Sequence, residues 1–208
     1  MEIKDKKILF ISPHPDDVEI QCGGLMFMLN KTNSITILTL TDNMISCPTN
    51  IKESDFKMEY IDAMNFLKPE LYHKCSFPTR SFPQYRQEIL DVFVEFSHSY
   101  NFDFVFIPPA NDFHQDHKVV HEEAIRAFGN SNLISYNTFN TQTNTWNWIV
   151  NIPEDLIEKK LKLISFYSSQ KFRKALNKDF ILSYMKANGI IIGTSWAETY
   201  NILRLIYK

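Results

Sequence analysis

The sequence predicts an α/β fold, specifically a Rossmann-like, open and mostly parallel sheet with helices on both faces. Short apolar runs alternate with helix-like segments along the chain, which is the pattern of such sheets. The runs at 8–12, 34–40 and 102–107 are mostly hydrophobic, as expected of strands buried on both faces. No repeat, low-complexity tract or linker interrupts the 208 residues, so we expect a single domain over residues 1–208.

The remaining elements follow from apolar spacing and from the residues that end each element. Further strands are predicted at 71–77, 133–138 and 146–152. Apolar residues at helical spacing predict helices at 25–30, 55–67, 85–100 and 117–128, and after Pro153. Pro69 and Gly129 end two of these helices. Two shorter elements are expected to finish the chain.

Composition excludes several classes of protein. The net charge of -2 and the lack of any basic block argue against nucleic-acid binding. No apolar run approaches the ~20 residues of a membrane helix, and the N-terminal apolar stretch is too short for a signal peptide. Cys22, Cys47 and Cys75 form no CxxC pair, and their odd number argues against a disulfide framework. We expect a cytoplasmic protein.

Two clusters of polar residues follow predicted strands. The first is His14-Pro15-Asp16-Asp17 after ILFIS, and the second is Asn111 to His117 after FVFIPP. Ligands of open α/β sheets bind beyond the carboxyl ends of the strands, so the two clusters should converge if both strands are parallel and central. Together they supply imidazoles and carboxylates but no thiolate pair. This donor set suits Zn²⁺, and also Fe(II), Co(II) or Mn(II).

The sequence pattern allows more than one role for each of these residues. The side chains of adjacent aspartates leave the backbone in different directions, so one of Asp16 and Asp17 can bind a metal while the other stands beside a bound water. Alternatively, HPDD is only a turn whose aspartate caps the next helix, although two such clusters after buried strands favour a metal site. His117 and His121 have the spacing of a helical metal pair, but no glutamate lies between them.

The other histidines have weaker claims to a role at the site. His121 lies a turn deeper in its helix, away from the strand ends, and we expect it at the surface or behind the ligands. His73 and His98 have no ligand-type neighbours, and we expect them to be structural or exposed.

Two motifs of the chain resemble those of a known family. SPHPDDVEIQCGG (12–24) and DFHQDH (112–117) are similar to the two signature motifs of the PIG-L/LmbE-like de-N-acetylases. These are zinc-dependent enzymes that remove acyl groups from amino sugars and related glycosides. Weaker matches continue along nearly the whole chain, at Glu59, Ala63 and Leu67, at Lys160, at Ser169-Gln170 and at Ala197-Glu198.

The resemblance implies a role for each motif residue. His14, Asp17 and His117 would bind the metal, and Asp16 would be the general base. His114 would face the substrate carbonyl as an electrophile and later as a proton donor. Asp116 would orient one of the histidines, as carboxylates behind metal ligands commonly do.

The chain also departs from the family pattern. Val18 stands where the family often has glutamate, although Glu19 follows, and Gln21 replaces a frequent glycine. Phe56 replaces a frequent arginine, and Lys68 replaces a glycine at the end of a helix. These departures bear on the identity of the substrate more than on the chemistry.

The resemblance therefore implies a zinc-dependent hydrolase that removes an N-acetyl (acyl) group from an amino sugar or sugar conjugate by attack of metal-bound water. The leaving amine would take its proton from Asp16 or His114. One alternative is an amidase for another small conjugate, such as a thiol glycoside or an acylated antibiotic. Another is a non-catalytic sugar-nucleotide binding module, although the chain lacks GxGxxG. The expected partner is a small N-acylated sugar or glycoconjugate, and a homo-oligomer is an open alternative.

Substrate contacts are less specified. Arg80 follows a predicted strand and is a candidate contact for a phosphate or carboxylate, or else is solvated. Four aromatic residues are candidates for stacking on a sugar or for the core: Tyr136, Trp146, Trp148 and Tyr167. Residues from about 166 to 198 are expected to cover the site.

Overall fold

The architecture follows the predicted alternation of strands and helices. A computed structural model describes residues 3–42, 53–141 and 146–207, and Cys47 lies outside these ranges. The strands are β1 (Lys7–Ser12), β2 (Ser34–Thr39), β3 (Leu71–Lys74), β4 (Phe104–Ile107), β5 (Asn132–Tyr136), β6 (Trp148–Asn151) and β7 (Ala197–Arg204). The helices are α1 (Asp17–Leu29), α2 (Glu53–Leu67), α3 (Arg86–Tyr100), α4 (Gln115–Ala127), α5 (Glu154–Ser165) and α6 (Lys178–Ile191).

The seven strands form one sheet in the order β3-β2-β1-β4-β5-β7-β6. Strands β1 to β5 pair in parallel, whereas β7 runs antiparallel to both β5 and β6. The predicted open, mostly parallel sheet is therefore confirmed. The chain order reverses at β1, whose neighbours β2 and β4 lead to opposite edges of the sheet.

Both faces of the sheet are covered, because alternate residues of the central strands enter two different cores. Ile8 and Phe10 of β1 pack with residues of α1, α2 and α5. Leu9 and Ile11 pack with residues of α3 and α4 on the other face. This arrangement explains the near-continuous hydrophobicity of ILFIS, since a strand buried on both faces has no polar side.

The end of the chain differs from the prediction of two shorter elements. Helix α6 has 14 residues, and β7 has eight, more than any other strand of the sheet. The hydrophobic pattern of β7 is broken by Glu198, which is buried together with its partners. A pattern of apolar residues does not reveal a position where a buried carboxylate is paired. The strand is therefore difficult to recognise in the sequence.

Glu198 joins β7 to α1 and α5. Its carboxylate accepts hydrogen bonds from Lys160 Nζ at 2.7 Å, from the backbone N–H groups of Gly24 and Leu25 at 2.8 and 2.9 Å, and from Tyr200 Oη at 2.7 Å. A Cβ on Gly24 would lie 2.8 Å from Glu198 Oε1, so only glycine permits this close approach. Gly24 of the CGG segment therefore permits the close packing of α1 against β7.

We expect Glu198→Gln to lower the free energy of unfolding by about 3–5 kcal/mol, because it leaves the buried Lys160 ammonium without a counter-charge. Urea denaturation measures this change. The exposed Glu158 on α5 offers a matched control, and Glu158→Gln should change the free energy by less than about 0.5 kcal/mol. Equal effects of the two variants would contradict the prediction.

No helix in the described ranges is both long and apolar enough to cross a membrane.

Candidate metal centre

The two polar clusters meet at the point where the sheet reverses its strand order. Strands β1 and β4 are parallel neighbours, so residues 13–17 and 108–114 leave the same edge of the sheet. A crevice at such a reversal is the usual ligand site of open α/β sheets.

Three side chains bring their ligand atoms together there. His14 Nδ1 lies 3.1 Å from Asp17 Oδ2, His117 Nε2 lies 3.2 Å from the same oxygen, and the two ring nitrogens are 3.3 Å apart. In a tetrahedral zinc site with bonds of about 2.0–2.1 Å, neighbouring ligand atoms are about 3.3 Å apart. The near-equilateral triangle therefore has the size that a divalent metal requires.

Two carboxylates behind the histidines fix the direction of each ring. His14 Nε2 bonds Asp116 Oδ2 at 2.9 Å, and His117 Nδ1 bonds Asp112 Oδ2 at 2.8 Å. The outer nitrogen of each ring is therefore held by its own carboxylate, and the inner nitrogen, Nδ1 of His14 or Nε2 of His117, is the one that faces the triangle. A neutral ring with its proton on the outer nitrogen is the tautomer that a metal ligand needs. Asp116 thus contacts His14, and its role in orienting that ring stays a prediction.

Asp112 was not singled out from the sequence, although it begins the DFHQDH motif. It is fully buried and also accepts hydrogen bonds from the His114 backbone N–H at 2.7 Å and from Thr138 Oγ1 at 2.5 Å. These contacts fix the carboxylate that orients His117.

We expect Asp112→Asn to weaken metal affinity by about 10–100-fold, because the amide no longer holds His117 in the metal-binding tautomer. Competition with a chelator of known affinity measures the effect. Asp103→Asn serves as the matched control, since this residue is partly exposed and directly precedes β4, at the end of that strand opposite to the DFHQDH motif. An unchanged affinity in Asp112→Asn would show that Asp112 does not act on the ligand.

The electrostatics of the cluster favour a positive charge at its centre. Burial alone would lower the pKa of His117, but the Asp17 carboxylate and the hydrogen bond to Asp112 raise it to about 10. Burial likewise opposes ionisation of Asp17, yet His117 and His14 hold its pKa well below the usual range. Anionic ligands that stabilise cationic partners in this way would equally stabilise a metal cation.

Asp16 stands beside the triangle without joining it. Its backbone has φ of 98°, in the left-handed region, whereas Asp17 begins helix α1. Oδ1 is buried with no hydrogen-bond partner among the described residues, and Oδ2 lies 3.5 Å from Arg173 Nη1. Burial and the adjacent Asp17 charge raise the pKa of Asp16 to about 8, against the opposing charge of Arg173. The free Oδ1 is a position for a proton donor such as water.

His114 lies on the other side of the histidine pair. Its ring centroid is 4.7 Å from that of His14 and 4.9 Å from that of His117. As the residue that caps α4, it accepts the Asp116 backbone N–H at Nδ1, at 3.2 Å. Nε2 therefore carries the ring proton, and burial with the nearby positive histidines lowers the pKa of His114 to about 4. A neutral ring with an N–H donor is the result.

His114 is also an alternative third ligand. One ligand atom from each of His14, His114 and His117 can be chosen so that all three lie within 4.8 Å of one another. The set that contains Asp17 is tighter, with every distance between 3.1 and 3.3 Å. We therefore favour Asp17 as the ligand.

The centre opens into a cleft of about 880 Å³. Its lining beyond the centre was not predicted residue by residue, although the expected cover from 166 onward includes part of it. The apolar lining residues are Ile20, Phe139, Phe172, Ala175, Leu176 and Phe180. The polar and charged ones are Gln21, Thr79, Thr138, Asn140, Lys171, Arg173 and Asn177.

The aromatic residues proposed as stacking partners lie elsewhere. Tyr136 is fully buried and donates its hydroxyl proton to the Ile11 carbonyl at 2.9 Å. Tyr167 is buried and donates to Glu19 at 2.6 Å, and Trp148 packs against Phe106. None of the four candidates lines the cleft. Tyr136, Tyr167 and Trp148 follow the core alternative, whereas Trp146 is exposed.

Other sequence candidates also fall away from the cleft. The Arg80 side chain is exposed and does not line it, and its backbone N–H instead donates to Asp116 Oδ2 at 2.7 Å. His121 is buried and bonds the Pro108 carbonyl at 2.7 Å, so a surface position is wrong for it. His73 and His98 are exposed.

Comparison with known proteins identifies the family. The family model described as PIG-L, GlcNAc-PI de-N-acetylase, matches residues 9–128, more than half of the 208 residues. The chain belongs to this family. The match contains the whole candidate metal centre and stops before the cleft-lining residues from Thr138 onward. No curated protein matches the chain significantly.

Solved structures share the fold at low sequence identity. The conserved protein TT1542 from Thermus thermophilus is 21% identical, with a TM-score of 0.80 over 98% of this chain and 97% of that one. The N,N'-diacetylchitobiose deacetylase from Pyrococcus horikoshii is 23% identical, with a TM-score of 0.79 over 95% and 84%. GalB, the 4-carboxy-2-hydroxymuconate hydratase from Pseudomonas putida KT2440, is 12% identical, with a TM-score of 0.79 over 98% of both chains. The fold alone thus hosts more than one reaction.

Two of the weaker family matches lie in contacts that hold neighbouring elements together, not at the metal centre. Glu59 of α2 accepts hydrogen bonds from the hydroxyls of Ser168 and Ser169, both at 2.6 Å, and from the Ser169 backbone N–H at 2.7 Å. This contact fixes the chain directly before the wall formed by residues 171–180. The Lys160–Glu198 pair holds α5 and β7 in the same way.

Proposed function

We propose that this protein is a divalent-metal-dependent N-deacetylase that acts on an amino sugar or sugar conjugate. The observation that carries the proposal is the triangle of His14, Asp17 and His117 beside the buried, unpartnered Oδ1 of Asp16. Membership of the PIG-L family supports the same reaction class.

The residues fit a bound cation, with His14 Nδ1, Asp17 Oδ2 and His117 Nε2 as its ligands. A divalent ion held there would act as a Lewis acid and make water a nucleophile at neutral pH. Zn²⁺ suits this set of two imidazoles and one carboxylate, and Fe(II) suits it as well.

Asp16 has the position of the general base. Its Oδ1 has no other hydrogen-bond partner among the described residues, so it can accept the proton of the attacking water. A buried carboxyl holds a proton more readily than an exposed one, which suits a proton acceptor at neutral pH.

His114 has the position of an electrophile. Because Nδ1 accepts the Asp116 backbone N–H, the proton is on Nε2, where it can be donated to the substrate carbonyl oxygen as negative charge develops. One such preorganised donor commonly lowers a barrier by about 3–4 kcal/mol. A neutral imidazole is a weak acid, so we assign the proton of the leaving amine to Asp16, which has just received one.

The cleft fits a sugar conjugate larger than an acetamide. Gln21, Asn140 and Asn177 offer amide groups for sugar hydroxyls, and Phe139 and Phe180 supply apolar surface. The cleft thus offers a ligand both hydrogen-bonding groups and apolar surface.

Two measurements test the proposal. Metal analysis of the purified protein should find about one equivalent of divalent metal, as expected for a site of three preorganised ligands. Acetate release should be seen with some member of a panel of N-acetylhexosamines and their conjugates, and a chelator should abolish it. A metal content below about a tenth of an equivalent, without activity on adding Zn²⁺ or Fe²⁺, would overturn the enzyme proposal. Acyl release only from a thiol glycoside or an acylated antibiotic would favour the other amidase function.

A further inference from the structure

We infer that the substrate carries an anionic group, a phosphate or a carboxylate, which Arg173 and Lys171 bind at the cleft wall. The inference rests on the proposed function and specifies its substrate class. Both residues lie outside the region that the family model matches.

Arg173 offers hydrogen-bond donors that nothing else in the described ranges uses. Its side chain is 37% exposed and lines the cleft. Its one side-chain hydrogen bond among the described residues is the long contact from Nη1 to Asp16 Oδ2, at 3.5 Å. The rest of the guanidinium is free to form the paired hydrogen bonds that match phosphate and carboxylate oxygens.

Lys171 adds a second positive charge to the same wall. It is exposed, lines the cleft, and has no acidic side chain within ion-pair distance in the described ranges. The carboxylates among the described lining residues are Asp16 and Asp17, both at the metal centre. Lys171 therefore faces the cleft without a fixed counter-charge among the described residues, and Arg173 has only its long contact with Asp16.

The wall is held in place rather than left free. The Arg173 backbone N–H donates to the Gln170 carbonyl at 2.9 Å, and the Arg173 carbonyl accepts the Leu176 N–H at 3.1 Å. Because Arg173 also reaches Asp16, an anion bound to it would lie within about one side chain of the reacting amide. The negative charge therefore belongs on the N-acylated sugar itself or on the group next to it.

Arg173 has one competing role, which is to act only through Asp16. In that case its loss would slow every substrate equally. If Arg173 binds the substrate, its loss would remove the preference for charged substrates. The ratio of kcat/KM between anionic and neutral substrates therefore separates the two roles.

The experiment compares N-acetylglucosamine with its 1-phosphate, its 6-phosphate and the corresponding uronic acid. We expect at least one anionic compound to exceed the neutral sugar in kcat/KM by about 10–100-fold, as charge-assisted hydrogen bonds provide. The phosphate and uronate arms distinguish the two sources of the charge. Arg173→Gln should reduce the ratio nearly to one, and Lys171→Gln should reduce it several-fold.

Lys186→Gln is the matched control, because Lys186 is exposed on α6 and does not line the cleft; it should leave the ratio unchanged. Equal kcat/KM for neutral and anionic compounds would overturn the inference, and so would an equal loss for both in Arg173→Gln. Titration calorimetry of the same compounds measures the charge preference without turnover. A preference in binding that Arg173→Gln removes, without acetate release, would sustain the anion site and overturn the deacetylase proposal. No preference in either measurement would overturn the anion site alone.

Discussion

Asp16→Asn is expected to lower kcat by about 10²–10⁴-fold while the protein keeps its metal. Asparagine has the size of aspartate but cannot accept the proton of a water molecule. Asp16 Oδ1 is buried without a partner among the described residues, and none of the short contacts of the ligand triangle involves Asp16. The substitution therefore removes proton transfer and leaves the metal ligands in place.

Metal content and kcat must be measured on the same preparation, so that kcat is expressed per bound metal. Asp62→Asn, an exposed site on α2, is the matched control and should leave both quantities unchanged. If Asp16→Asn lost its metal but kept kcat per bound metal, Asp16 would be a ligand. The roles of the two aspartates would then be reversed.

The different roles of the two aspartates show how much of the site could be predicted from the sequence. Their adjacency predicts two different directions, and only the resemblance said which one ligates. The structure adds that Asp17 Oδ2 lies with the two histidine nitrogens, and that Asp16, outside that triangle, has a positive φ. Such a backbone conformation is uncommon in residues other than glycine, and the sequence HPDD does not predict it.

Local pattern sufficed for the central sheet because each strand is buried on both faces and is therefore continuously apolar. It failed for β7, where the buried carboxylate of Glu198 is stabilised by Gly24, a partner 174 residues away along the chain. It also failed for the substrate wall. Tyr136 and Trp148 pack in the core, whereas Phe139 and Phe180 line the cleft. The sequence alone does not distinguish an aromatic residue of the core from one of the cleft.

Loss of metal is the expected result of Asp17→Ala and of His117→Ala. Each variant removes one corner of a triangle whose atoms are 3.1–3.3 Å apart and leaves only two protein ligands. A catalytic zinc site ordinarily keeps three, so stoichiometric metal and activity should be lost together. His121→Ala is the control, because His121 is also buried on α4 but bonds the Pro108 carbonyl.

The same set of variants decides between the two candidate third ligands. Metal content by elemental analysis, with circular dichroism to confirm folding, should be low in Asp17→Ala and near the wild-type level in His114→Ala. The opposite pattern would make His114 the ligand, consistent with its ring lying 4.7 Å from His14. The electrophile of the proposed mechanism would then be missing, and stabilisation of the carbonyl oxygen would need another donor. Because His114→Ala is expected to lose activity under either assignment, metal content is the measurement that separates them.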